Sequence, residues 1–374
     1  MKNNNTKTLL KNVCKISKGK GLKHEKVNFT KGQDCILCGD LFTQYDTVIK
    51  NVVHKTTYNE GINSKKNTVL IPGDTTTNAW DIAKAVALDE ENVLLGGSIN
   101  ILEFDDYCDN TFFAYYLSSK KRIDLAKLAI GSTVVHLHGK EIGNIGVSYP
   151  SKEMQVKIGS FFKELDELIE LYSNKIEKMN TSFMFIKKNI IKKCNDRFEN
   201  VSLKDIATFI NGKAHEKLVS ENGSIKLINS KFIATNASVA KKVTKNICPT
   251  ERGDICIVMS DVPNGKALAK CYIAHGDEAV NQRVCIIRSD KFLPEVLMLL
   301  LNRNKKYLMF DDHVSQTNLK KEDILNVNLP FIPLNIQSEI KQVLNEFDEL
   351  LKEYNDLVNN YKCIKKYYLN KIFN

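Results

Sequence analysis

The sequence predicts an α+β fold built twice over: a mixed α/β domain and a long helix, then the same pair again, with the two helices packed as an antiparallel coiled coil. Three observations carry this expectation. "ELDELIELY" at 164–172 returns as "EFDELLKEY" at 346–354, and at the same shift of 182 residues Gln155 falls on Gln337, Ile158 on Ile340, Leu168 on Leu350 and Tyr172 on Tyr354. Upstream, "LKNVCKISKGK" at Leu10 resembles "LKDIATFINGK" at Leu203, a shift of 193, and each copy is soon followed by "HEK", at His24 and His215. Self-similarity at fixed shifts marks a duplicated architecture, and two unequal shifts place an insertion in the first half. The third observation is a heptad pattern in each repeated helix.

Taken in order, the pieces are a globular segment at 1–150, a helix at 151–199, a second globular segment at 200–333 and a helix at 334–374. The globular segments read as short strands, "NTVLIPGD", "NVLLGGSINILEF", "GSIKLINSKFI", "GDICIVMSD" and "AVNQRVCIIRSD", separated by Gly, Asp and Asn. Helical stretches from Asp109 and from Phe292 occupy matching places, each apolar on one face with Lys and Arg toward its end, which suits the helix dipole. In the first long helix the apolar stripe runs Met154, Ile158, Phe161, Leu165, Leu168, Tyr172, Ile176, Met179, Phe183, Ile186, Ile190, with one stutter around Tyr172. The second runs Ile336, Ile340, Val343, Phe347, Leu350, Tyr354, Leu357, Tyr361, Ile364, Tyr368. About 40 residues span roughly 60 Å, and a helix of that length cannot bury its stripe in one compact domain. The other copy is the cheapest partner, and antiparallel packing would put the two globular segments at opposite ends. Packing of each helix on its own domain or on another protein is the alternative.

Composition sets the class. The chain is 43% hydrophobic and 26% charged, which is globular, and it contains no apolar run of about 18 residues. With no signal peptide before the first repeat, a soluble, intracellular, cytoplasmic protein is expected. Lys plus Arg number 54 against 44 Asp plus Glu, a net charge of +10 that favours a polyanionic partner, although a Lys-rich proteome accounts for it too. The ten cysteines are scattered. Cys35 and Cys38 form a C-x-x-C, but no second pair or nearby His completes a zinc site, and buried thiols in a reducing compartment are the plainer reading.

Catalytic motifs are missing. No Pro-Pro occurs, so an Asp/Asn-Pro-Pro-Tyr methyltransferase signature is absent. The Gly-Lys pairs at Gly19, Gly139, Gly212 and Gly265 are followed by Gly, Glu, Ala and Ala rather than the Ser or Thr of a P-loop. His136 and His138 in "HLH", and Asp311, Asp312 and His313 in "DDH", are single clusters without further ligands, so no metal site is expected and loop or strand residues explain them. No catalytic residue can be named, and catalysis by this chain alone is not expected.

Two α/β domains, each followed by a long helix that begins near "P…Q…I", resemble the specificity subunit of a type I restriction-modification system over essentially the whole chain. The most specific stretch is "LPFIPLNIQSEIKQVLNEFDELL", Leu329 to Leu351, with Pro330 and Pro333 before Gln337 and Ile340; "ERGDICIV" at Glu251 and "AVNQRVCII" at Ala279 support it. The first half departs from that pattern, with only Pro150 before "SKEMQVKIGSFF" and "GGSINIL" in place of "VNQRVCI". The resemblance implies a non-catalytic reader of double-stranded DNA. Each globular segment would be a target-recognition domain for one half of a bipartite sequence, and the helices a spacer between them. Two modification (methyltransferase) subunits and the restriction (motor-nuclease) subunits would dock on it. S-adenosylmethionine, ATP and Mg would be bound by those partners and no cofactor by this chain. Approximate twofold symmetry suits two identical partners. A duplicated coiled-coil scaffold whose domains bind proteins or RNA is the rival.

Candidate contacts divide by chemistry, since phosphate contacts position a protein and base-edge contacts specify sequence. For phosphate these are Lys18, Lys20, Lys23 and Lys26, with Lys213, Lys217, Lys231 and Lys266. For bases they are Thr75, Thr76, Thr77 and Asn78 after "PGD", and Ser260, Asp261 and Asn264 of "SDVPN", in the matching place after "RGD". Amides at Asn78, Asn264, Asn281 and Gln282 can pair with adenine. A further pair of loops, "GSTVVHLHG" and "VSQTNLKK", brings Ser132, Thr133, Ser315, Gln316 and Thr317. Turns are rich in such residues for structural reasons alone.

Overall fold

The computed structural model describes residues 5–263, 265–312 and 314–373. The chain divides into two compact units, Met1–Asn174 with Asn355–Asn374, and Lys175–Tyr354. Each unit therefore contains a globular α/β portion and a stretch of both long helices, which run Lys152–Arg197 and Leu334–Phe373.

In the first unit the central sheet is antiparallel, in the order Cys14–Lys18, Ile99–Phe104, Thr68–Pro72, Val86–Leu88. A second sheet of five short strands contains one parallel pair, Gln33–Ile36 with Leu94–Leu95. The run "NVLLGGSINILEF" is thus two strands in two sheets, broken where Ser98 takes a left-handed φ of 62°. The helix Asn110–Ser118 begins at Asp109, whose carboxylate accepts from the Phe112 N–H. It buries Phe112, Phe113 and Leu117 in the same core as Phe162 and Phe373 of the long helices. Each such buried ring contributes about 2–3 kcal/mol of transfer free energy.

The second unit repeats this plan. Its central sheet runs Thr208–Asn211, Val284–Arg288, Ile255–Val258, Cys271–Ile273, again antiparallel. Its second sheet is smaller, with three strands around Ile225–Ile228. The strand expected over "GSIKLINSKFI" stops at Ile228 because Asn229 accepts from the Phe232 N–H and starts a helix at Ser230–Ala234. Asp254 of "ERGD" is 2% exposed and grips Arg288 through two bonds, Nε to Oδ1 at 2.7 Å and Nη2 to Oδ2 at 2.8 Å, so this motif fastens the sheet.

Within each unit the two long helices are antiparallel. In the first, Phe161 meets Tyr368, Tyr172 stacks on Tyr361, and Lys365 pairs with Asp166 at 2.5 Å. In the second, Phe183 stacks on Phe347 with ring centroids 4.7 Å apart, and Lys175 lies over the Tyr354 ring. The apolar stripes differ from the expected ones in detail. Met154 is 46% exposed, while the next residue, Gln155, is fully buried. On the second long helix the inward line is Ile340, Leu344, Phe347 and Leu351 in the second unit, and Val358, Tyr361, Leu369 and Phe373 in the first. Val343, Leu350, Leu357, Ile364 and Tyr368, which the heptad pattern would bury, are each 37–41% exposed.

The two glutamines of the repeat do the same work. Gln155 accepts from the Asp109 N–H at 3.0 Å and donates to the Tyr107 and Pro150 carbonyls at 3.4 and 2.9 Å. Gln337 accepts from the Leu293 N–H at 2.7 Å and donates to the Lys291 and Ile332 carbonyls at 2.9 and 2.7 Å. Each amide fastens the start of a long helix to its globular portion.

Candidate nucleic-acid interface

Two loops that lie far apart in sequence meet in each unit. In the first, Gly73 follows the strand Thr68–Pro72 with its N–H on the Ser98 carbonyl at 2.7 Å, and a Cβ there would come within 2.7 Å of that oxygen. Asp74–Thr75 then pairs antiparallel with Val135–His136, Thr75 opposite Val135. This joins the Thr75–Asn78 run to the turn that carries exposed Ser132 and Thr133, where Gly131 adopts φ +116° and Ile130 and His136 exchange both backbone bonds. In the second unit Ser260–Asp261 pairs antiparallel with Thr317–Asn318. Gln316 donates to the Ser260 hydroxyl at 2.8 Å across that pair. The loop correspondence thus runs through these strand pairs: "PGD" closes a strand, whereas "RGD" opens one.

Several side chains at these pairs are engaged within their own loops. Asn78 caps the helix Ala79–Ile82, accepting from the Trp80 and Asp81 N–H groups and donating to the Asp81 carboxylate at 2.8 Å. The Thr75 and Thr77 hydroxyls bond to each other at 2.9 Å, and Thr76 is exposed. Asp261 turns into its loop and accepts from the N–H groups of Val262, Ala267 and Leu268. Thr317 is 7% exposed and donates to Asp311. Ser315 donates both its hydroxyl and its N–H to Asp312, and these bonds hold the Asp312 carboxyl at about 2. Lys266 is exposed beside the same loop. Asn264 and His313 lie outside the described residues.

A second group in this unit stands at the turns above the sheet. Exposed Lys213 and Lys217 flank His215, and the Lys213 N–H donates to the Val280 carbonyl, next to Asn281 and Gln282. Gln282 donates to Glu216 at 3.2 Å, and the Asn281 side-chain carbonyl accepts from the Gln282 N–H. Lys231 stands on the helix after Ile228, whose carbonyl accepts from the Asn281 N–H. In the first unit Lys18 and Lys20 are exposed around Gly19, Lys23 lies 4.0 Å from Glu25, and Lys26 sits over the Tyr58 ring at 3.9 Å.

Sequence reasoning passed over Trp80 and Arg122. Trp80, the one tryptophan of the chain, is 50% exposed two residues beyond Asn78, and the Arg122 guanidinium lies 4.3 Å over its ring while donating to its carbonyl. Its rarity beside a polar loop was the available signal. In the second unit Val262 is 63% exposed and Val314 83%, both in the loops that extend the strand pair. As for metals, Cys35 is buried with its thiol pushed up to about 11 by burial, Cys38 donates to the Asp74 carbonyl, and no group of three His, Cys, Asp or Glu among the described residues could hold an ion. No described helix is long and apolar enough to cross a membrane.

The family described as type I restriction modification DNA specificity domain matches residues 2–181 and again 195–360. Among solved structures, the S subunit of a type I restriction-modification system from M. genitalium is similar over 100% of this chain and 97% of its own, at 16% identity and a TM-score of 0.64. A chain from a study of complex assembly and conformational transition of the type I R-M system is similar over 99% of this chain and 97% of its own, at 12% identity and a TM-score of 0.58. No curated protein matches.

Proposed function

Because the chain belongs to the type I restriction modification DNA specificity family, with one matched copy in each half, we propose that it is the sequence-reading subunit of a type I complex that acts in the cytoplasm on a bipartite double-stranded target. The observation that carries this reading is the strand pair built twice, Asp74–Thr75 with Val135–His136 and Ser260–Asp261 with Thr317–Asn318, each extended by polar loops of different sequence. Two alike frames with unlike loops suit two different half-sequences. Exposed hydroxyls and amides such as Thr76, Ser132, Ser315 and Gln316 can bond base edges, and the surrounding lysines hold phosphates.

Chemistry falls to partners. Two modification subunits with S-adenosylmethionine, and motor-nuclease subunits with ATP and Mg, dock on this chain, which supplies specificity only. The apolar side chains left exposed on the second long helix support such docking. Gel shifts of the chain with its modification subunits on random duplex and RNA pools test the reading. Salt-sensitive selection of duplexes with two fixed half-sequences is expected, with no methyl transfer by the chain alone. Equal retention of RNA, or methyl transfer without partners, counts against it.

A further inference from the structure

A cleft of about 610 Å³ in the first unit is walled by Lys11, Lys15, Lys18 and Lys140, with His138 and Asn144, and no carboxylate lines it. Three separate elements converge to make it. Lys15 and Lys18 come from the edge strand Cys14–Lys18, Lys11 from the turn before it, and Lys140 from the short helix Gly139–Ile142. Lys11 donates to the Asn144 side-chain carbonyl at 3.2 Å. Glu103, opposite Lys15 across the sheet, is already engaged by Lys65 at 2.8 Å. Gly143 lets this wall pack closely, since a Cβ there would come within 3.2 Å of Lys11 Cβ and 3.3 Å of Ile16 Cδ1. Four like charges in one concavity repel each other and focus a positive potential, an arrangement that an anion relieves. The cleft also adjoins the candidate base-reading loops, because His138 stands two residues past His136 of the strand pair.

The second unit carries less positive charge at the matching positions. At the shift of 193, Lys11, Lys15 and Lys18 become Lys204, Thr208 and Asn211; at the shift of 182, His138 and Gly139 become Lys320 and Lys321, Lys140 becomes Glu322 and Gly143 becomes Leu325. The helix Lys321–Leu325 stands where Gly139–Ile142 stands, so the frame is kept while the charge falls from four lysines to three with Glu322 among them, and neither strand lysine is retained.

We propose that this cleft seats phosphates of the DNA backbone, so that the first unit supplies more of the sequence-independent grip than the second. The inference rests on the DNA-reading function proposed above. It is tested by measuring duplex binding of the full-length chain with its modification subunits across about 50 to about 200 mM salt, where each phosphate contact contributes about 0.9 to the slope of log affinity against log salt. The variant Lys15→Gln/Lys18→Gln/Lys140→Gln should reduce the slope by about 2–3 on target and non-target duplexes alike, with the preferred sequence unchanged. Arginine at the same three positions should restore it. Lys204→Gln/Lys320→Gln/Lys321→Gln, which removes equal charge from the second unit, should change it by less than about 1. An unchanged slope in the first variant, or equal losses in both, overturns the cleft assignment while wild-type binding leaves the DNA reading standing. Failure of the wild-type complex to bind duplex overturns both.

Discussion

Gln155 and Gln337 are 0% and 1% exposed, and each amide spends its acceptor and both donors on main-chain groups. Gln337→Leu would keep the bulk and orphan the Leu293 N–H and the Lys291 and Ile332 carbonyls, at about 1–3 kcal/mol for each buried group left unpaired. We expect a loss of about 2–4 kcal/mol in urea unfolding, against less than about 0.5 for Gln342→Leu on the exposed side of the same helix. The repeat made these glutamines visible in the sequence, but their task was not legible, because bonds to main-chain atoms leave no partner side chain to find. The same blindness applies to Asp261. An aspartate that folds its own loop and one that faces a ligand carry the same letter, and only the three N–H groups around it decide.

Among the elements, the two long helices and their antiparallel pairing were legible in the repeated heptads, and so was part of the buried face, Leu165 and Phe183 on the first helix and Ile340, Phe347 and Tyr361 on the second, whereas the rest of the second helix's inner line was not. On the second long helix the expected and observed lines share Ile340, Phe347 and Tyr361 and part between them, where periodicity cannot rank neighbouring positions such as Val343 and Leu344. The inner line is also interrupted by Lys365, which pairs with Asp166 and lies over the Tyr115 ring, so a search for apolar residues settles on Ile364 instead. Substitution separates the lines. Leu344→Ala, at a residue 5% exposed, should cost about 2–4 kcal/mol by thermal or urea unfolding, and Leu350→Ala, at one 41% exposed, less than about 1. Equal costs would mean that Leu350 belongs to the packed face as much as Leu344 does. The short strand pairs were legible only as polar loops, because two-residue strands lack the length to show alternation.

For the whole molecule, the duplicated plan was readable because it is written twice, and the charged cleft of the first unit was not, because its lysines are scattered between Lys11 and Lys140 and meet only on folding. One reader in each unit, as proposed above, carries a consequence for function. Exchanging residues 1–150 for the equivalent segment of a relative should change one half of the methylated sequence and leave the other intact, as mapped by single-base methylome sequencing; a change in both halves would refute independent readers. Such exchange depends on a joint that accepts foreign sequence, and the buried glutamines provide it. On the globular side of the joint stand Tyr107, Asp109 and Pro150 in one unit and Lys291, Leu293 and Ile332 in the other, six different residues holding the same bonds through their backbones. Side chains at those places can change without removing these main-chain bonds, although Asp109 also caps its helix and Ile332 sits in the core. The joint itself thus asks for two amides and for backbone, and leaves sequence on the globular side to be set by other demands.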